Sequence, residues 1–210
     1  MKQDKETKNK LIESAREEFK EKGYFKASLR NICKNAGVTT GALYFFFKDK
    51  EDLFDSVVGE TYDDIWQIMH SHFHDKRYRT EDDSQNGLAG KDVQEDFATA
   101  EVVMHRMYQH REEVLLLLTK SQGTKYENIK DRFIETAEIY YRKMADAMEK
   151  KYPDKRMDDK FVHWIAHEQI DAYVYMITHI EDEKEAEKFI THAIIYIMAG
   201  WRGIFMRNVP

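Results

Sequence analysis

The chain has 210 residues, 42 % of them hydrophobic and 34 % charged, with 2 prolines and 1 cysteine. That length buries a substantial core in one or two domains, and the lone Cys33 excludes an intramolecular disulfide framework. The opening Met-Lys-Gln-Asp-Lys-Glu lacks the apolar core of a signal peptide, and the longest apolar run, Ala193 to Trp201, is too short to span a bilayer; a cytoplasmic protein is expected. The net charge of −6 hides an asymmetry: residues 1–50 hold 12 Lys or Arg against 7 Asp or Glu, a surplus of +5, leaving −11 for residues 51–210. A basic unit on an acidic body concentrates attraction for phosphate in one part of the chain.

Scarce proline and abundant Lys, Glu, Ala, Met and Ile predict an all-α protein of about nine helices. The first should run over about Lys5–Lys22, with Leu11, Ile12, Ala15 and Phe19 inward and Gly23 ending it. Leu29, Ile32, Cys33 and Ala36 then fall at i, i+3, i+4 and i+7, one apolar face of a short helix that Ser28 can cap. Gly37 suits the left-handed turn after it, and Thr39 can cap a third helix beginning at Thr40. Two short helices joined by a glycine turn make a helix-turn-helix.

Asp49 followed by Asp52 marks the start of a long helix continuing toward His74, a stiff lever of about 40 Å at the α-helical rise per residue. Lys76–Lys91 is polar, glycine-bearing and aperiodic, and reads as a loop. Asp92 and Glu95 form a capping pair, and helices are expected over Val93–Gln109, Glu112–Ser121 and Lys125–Lys151, punctuated by Gly123 and Pro153. Two more should cover Asp159–His179 and Lys184–Arg207, the last opened by Asp182 and Glu185.

Residues 10–54 resemble the DNA-binding domain of the TetR family of bacterial transcriptional regulators. The resemblance is carried by Leu11, Ile12, Ala15, Phe19, Gly23, Tyr24, Ser28, Ile32, Ala36, Gly37, Val38, Gly41, Leu43, Tyr44, Phe47, Lys50, Glu51 and Leu53. It implies a three-helix DNA-binding domain at 1–50, joined by the long helix to an effector-binding and dimerisation domain at 51–210, and no enzymatic activity. The implied function is a dimeric, ligand-released repressor on a pseudo-palindromic operator. An activator, or a DNA-binding protein that needs no ligand, is the rival within the same fold.

A short helix presented end-on to the major groove would set Thr40, Gly41 and Ala42 against base edges, with Thr39 capping and meeting phosphate. The family pattern makes Tyr44 and Lys50 phosphate contacts, which position without specifying. The chain departs from it at Phe45 and Phe46, where the family commonly has polar residues, and Phe45 is expected against thymine methyls. Ala27 replaces a common threonine, leaving Ser28 as cap and phosphate contact, with Lys26 and Arg30 as electrostatic partners.

The family usually binds a small molecule in its carboxy-terminal body. For that unidentified effector the aromatic and sulfur-bearing candidates are Tyr62, Trp66, Met69, Tyr108, Tyr140, Tyr141, Trp164, His167, Tyr173 and Met176, all equally suited to plain core packing. The last helix is apolar on several faces, which requires burial on several faces; Ile194, Ile197, Met198, Trp201, Ile204 and Phe205 are the expected dimer contacts. His70 with His74, and His163 with His167, have the i, i+4 spacing of a metal clamp. A helical metalloenzyme would need further ligands, and neither His-Glu-x-x-His nor paired Glu-x-x-His occurs, so no metal and no cofactor is assigned.

Overall fold

The computed structural model describes residues 2–74 and 91–206. The expected loop at Lys76–Lys91 lies outside them but for the backbone of Lys91, as does the side chain of Asp92. Among the described residues there are nine helices and no strands: α1 (Lys2–Lys26), α2 (Leu29–Ala36), α3 (Thr40–Phe46), α4 (Lys50–His74), α5 (Lys91–Gln109), α6 (Arg111–Thr119), α7 (Ile129–Lys151), α8 (Asp159–His179) and α9 (Glu183–Met206). They form two compact units, Met1–Asp64 with His110–Ile129, and Ile65–Gln109 with Lys130–Pro210. The expected division at residue 50 falls inside the first.

Local chemistry sets the helix ends. Gly37 sits at φ 69°, ψ 31°, the left-handed conformation that closes α2, and Gly23 at φ 71° breaks α1 one turn before its end. Ser28 accepts from the Asn31 amide and Thr39 from the Ala42 amide, capping α2 and α3. At α4 the cap is reciprocal: the Asp52 amide donates to Asp49 Oδ1 at 2.9 Å, and the Lys48 amide to Asp52 Oδ2 at 2.8 Å. α7 begins four residues later than expected because Thr124 competes locally. Its hydroxyl donates to the Ser121 carbonyl at 2.7 Å and accepts from the Tyr126 amide at 3.1 Å, holding this stretch in turns.

The first unit is built around Leu11, Ala15, Phe19, Ile32, Leu43, Phe47, Leu53, Phe54 and Val58, all essentially inaccessible to solvent. Burying each large side chain contributes about 1.5–3 kcal/mol. The segment after α6 belongs to this unit for visible reasons. Phe54 packs edge-on to Phe19 at 5.0 Å, and Tyr126 lies 6.2 Å from Phe54 and 5.1 Å from Tyr62. The Tyr126 hydroxyl donates to Asp55, and Lys125 Nζ pairs with the same carboxylate at 2.6 Å. Burial, with Asp55 beside it, pushes the Tyr126 phenol far above its usual range, so it stays a donor. In the second unit α8 packs along α9, and α5 against both.

Glu18 on α1 is buried, yet it is a charged group. It accepts from the Ser28 amide at 3.1 Å, from Asn31 Nδ2 at 3.4 Å and from Lys22 Nζ at 2.9 Å. Burial alone would raise its pKa; the bonds from Lys22, Ser28 and Asn31 outweigh that and hold it below the ordinary value of 4.5. Its stabilisation is therefore present above the unfolded value and lost as pH falls through the lower folded one. Glu18→Ala should lower stability at pH 7 by about 1–3 kcal/mol, since it orphans a buried amide. In urea melts the gap between wild type and variant should narrow toward pH 3; an equal gap at both pH values would contradict this role.

Candidate nucleic-acid interface and core cavity

The helix-turn-helix turns one face of α3 inward and another outward. Leu43 and Phe47 are buried, whereas Thr40, Gly41, Tyr44 and Phe45 are exposed, Tyr44 at 56 % and Phe45 at 77 %. Positions i, i+1, i+4 and i+5 share one side of a helix, so these four form a single surface. Thr39 is exposed beside it, Ala42 is half-buried, and Phe46 packs edge-on to Phe45 at 4.9 Å. On α2 and its flanks Lys26, Arg30 and Lys34 are exposed and Ser28 is half-buried. An aromatic ring three-quarters exposed on a seven-residue helix, with cations nearby in sequence and no acid in α2 or α3, suits a polyanion with apolar groups in its groove.

Lys50, the expected phosphate contact, is engaged within the domain. Its Nζ donates to the carbonyls of Tyr24 at 2.8 Å, Phe25 at 3.3 Å and Ala27 at 3.3 Å, and lies 4.5 Å from the centre of the Tyr24 ring. An ammonium has three donors, and all three are engaged within the domain. Burial draws its pKa below the usual lysine value. Lys50 thus bonds the carbonyls at the end of α1, where helix geometry leaves acceptors short of donors.

The second unit contains a cavity of about 60 Å³. Its wall takes Met69, His72 and Phe73 from α4, Asp96, Thr99, Ala100 and Val103 from α5, Tyr140, Tyr141 and Met144 from α7, Gln169 and Tyr173 from α8, and Ile194, Ile197, Met198 and Trp201 from α9. His72 Nε2 lies 3.0 Å from Asp96 Oδ1, and His72 Nδ1 lies 3.1 Å from the Thr99 hydroxyl. The Tyr140 hydroxyl donates to Asp96 Oδ1 at 3.5 Å. Burial, with Asp96 near it, raises the Tyr173 phenol above its usual value.

Residues 11–57 match the family described as "Bacterial regulatory proteins, tetR family". That segment is a DNA-binding domain of the TetR type. The chain is 43 % identical over 54 residues to the HTH-type transcriptional repressor BepR of Brucella suis biovar 1 (strain 1330), a stretch that is 26 % of either chain. It is 39 % identical over 66 residues to the HTH-type transcriptional regulator AcrR of Shigella flexneri, 31 % of this chain and 27 % of that one. The matched part therefore spans about a quarter of these curated relatives. Among solved structures, a transcriptional regulator (TerR/AcrR family) from Aquifex aeolicus VF5 aligns over 91 % of this chain and 99 % of its own, with a TM-score of 0.54 and 21 % identity. The SmeT–triclosan complex aligns over 97 % and 96 %, with a TM-score of 0.60 and 16 % identity. At such identities the similarity is one of fold.

The cavity gathers four of the ten effector candidates, Met69, Tyr140, Tyr141 and Tyr173. The others lie elsewhere. Tyr62 packs on Tyr126 in the first unit, Trp66 on Phe133 at 5.3 Å under the Arg132 guanidinium, and Met176 is fully buried. The Tyr108 hydroxyl donates to the carbonyls of Met176 and Ile180, and Trp164 is half-exposed. His167 bonds His163 at 3.1 Å, and His163 bonds Glu138 at 2.7 Å. His70 stacks on His74 at 4.0 Å, and among the described residues no group of three or more His, Cys, Asp or Glu is placed to hold a metal.

The expected dimer contacts divide as well. Trp201 and Phe205 are buried in the chain's own core, Ile194, Ile197 and Met198 line the cavity, and Ile204 is exposed. The sequence reading missed His72, Asp96 and Gln169, although Met69, His72 and Phe73 at i, i+3 and i+4 share a helix face and carried that signal. Lys50→Ala should lower the thermal midpoint while leaving the slope of log Kd against log salt on duplex DNA unchanged. Arg30→Ala should instead reduce that slope by about one unit. A slope reduced by one unit in Lys50→Ala would restore its phosphate contact.

Proposed function

We propose that this protein is a cytoplasmic, dimeric transcriptional repressor of the TetR family that binds a pseudo-palindromic operator and releases it when a small molecule enters the body. It is not an enzyme. The observation that carries the reading is the outward face of α3, Thr40, Gly41, Tyr44 and Phe45, on a head with +5 charge joined to a remainder with −11. Thr39, Thr40, Gly41 and Ala42 meet base edges and the flanking phosphate, and Phe45 meets thymine methyls, an apolar contact rather than a hydrogen-bonded one. Tyr44, Ser28, Arg30 and Lys26 position the head on phosphate.

Exposed apolar side chains on α8 and α9 support the dimer. Tyr196 is 69 % exposed, Tyr175 50 % and Trp164 47 %, with Ile195 and Ile204 beside them in exposure. Tyr175 stacks on Phe189 at 5.4 Å, tying the two helices together. A Cβ added at Gly200 or Gly203 would meet nothing, leaving α9 room for close approach by another helix. So much apolar surface on one pair of helices suits a second copy of the chain.

α4 is the link to regulation, since one continuous helix supplies Lys50 to the head and Met69, His72 and Phe73 to the cavity wall. A cavity of about 60 Å³ is far below the ~300 Å³ of ordinary ligand pockets, so an effector that enters must displace wall helices. Displacing α4 pulls on the contact between Lys50 and α1. Only a ligand that prefers the displaced arrangement shifts the equilibrium, and the coupling is reciprocal.

Footprinting should protect two inverted half-sites; a lone half-site held by a monomer at physiological salt would refute the dimer. Trp164→Glu combined with Tyr196→Glu should sediment as a folded monomer and lose operator affinity by at least about tenfold. Compounds that raise the thermal midpoint should release operator DNA in a gel shift. If every stabilising compound left operator affinity unchanged, an activating or ligand-independent DNA-binding protein would be the better account.

A further inference from the structure

The cavity wall has a definite electrostatic character. Among the described residues Asp96 is its only carboxylate, and no Lys or Arg lines it. Both hydrogen bonds that Asp96 receives within the cavity, from His72 and Tyr140, end on Oδ1. His72 is held between the Thr99 hydroxyl, 3.1 Å from Nδ1, and Asp96 Oδ1, 3.0 Å from Nε2, and the carboxylate is the anionic group of the wall.

Around that charge stand five aromatic rings. Phe73 lies 5.0 Å from Tyr140, Tyr140 meets Tyr141 edge-on at 5.4 Å, and Tyr141 lies 5.5 Å from Trp201, with Tyr173 completing the set. An aromatic lining of this kind, beside a carboxylate, attracts a cation and repels a carboxylate. Two polar atoms in the same wall lack a partner among the described residues: the Gln169 side-chain oxygen, an acceptor, and Trp201 Nε1–H, a donor. Trp201 is 5 % exposed, so that donor is out of reach of bulk water. A single hydroxyl, which both donates and accepts, answers the two together.

We infer that the cavity binds a small organic cation, a quaternary or tertiary ammonium carrying one hydroxyl, with the ammonium against Asp96 and the rings and the hydroxyl between Gln169 and Trp201. This deepens the effector reading and rests on it for its regulatory meaning. At rest the cavity has room for about two waters at ~30 Å³ each. Met69, Met144 and Met198 supply the give, because unbranched thioether chains repack around an incoming group. A carboxylate would meet Asp96 and, among the described lining residues, no cation, so it is disfavoured.

Isothermal titration of the full chain with choline, its uncharged isostere 3,3-dimethyl-1-butanol, and 3,3-dimethylbutanoate tests the site. Choline should bind at least about tenfold more tightly than the alcohol, and the carboxylate not at all. Asp96→Asn should erase the preference for choline over the alcohol, and Trp201→Phe should weaken choline while sparing tetramethylammonium, which has no hydroxyl. Circular dichroism and thermal melts verify that each variant folds, and Asp96→Glu, which keeps the charge, should retain the preference. Equal affinity for choline and the alcohol, tighter binding of the carboxylate, or no choline binding to wild type would overturn the inference. Choline that binds with this selectivity yet leaves the operator complex intact would uphold the site and sink the ligand-released repressor.

Discussion

The head depends on how one corner of backbone is satisfied. Where α1 ends and α2 begins, helix geometry leaves carbonyls without partners on one side and amides without partners on the other. Lys50 donates to the carbonyls of Tyr24, Phe25 and Ala27, while Glu18 accepts from the amide of Ser28. Each charge has the sign that its helix end favours, cation at the carboxy-terminal end of α1 and anion at the amino-terminal end of α2. The corner fixes the angle at which α2 leaves α1, and the Gly37 turn then sets α3. Tyr44 and Phe45 are presented outward because Leu43 and Phe47 are anchored beneath them.

That arrangement sets Lys50 apart from a surface lysine. A surface lysine gains little from any one partner and is free to follow phosphate. Lys50 is half-buried with three carbonyl acceptors and the Tyr24 ring beneath it, and leaving would strand those carbonyls in a poorly hydrated site. The cations left for phosphate are exposed: Lys26, Arg30, Lys34 and Lys48.

α9 carries two tasks on different faces. One face, with Ile194, Ile197, Met198 and Trp201, closes the cavity, and another leaves Ile195 and Tyr196 in solvent. A helix apolar all round has to bury all round. Because cavity and outward face share a backbone, a change of packing at Ile197 is felt one residue away, at exposed Tyr196, an arrangement that suits the proposed coupling between ligand and subunit pairing.

The helix-turn-helix was legible in the sequence because its determinants are local: Ser28, Gly37, Thr39 and Asp49 act on backbone within four residues of themselves, and Leu43 and Phe47 on the face of one short helix. The all-α class followed from composition, and the expected span of α8, Asp159–His179, is the observed one. What lay beyond was decided by approach between distant segments. Periodicity says that a face is apolar, never which neighbour covers it, so Trp201 and Phe205 read as dimer contacts although they fill the chain's own core. Periodicity likewise does not say that Tyr62 packs on Tyr126 and Trp66 on Phe133. Asp96 and His72 carried no motif, since their meaning comes from standing 3.0 Å apart across α4 and α5. Lys50 was visible as a residue of the family pattern, but its role was set by carbonyls more than 20 positions away, because only the folded corner brings those orphan oxygens to its ammonium.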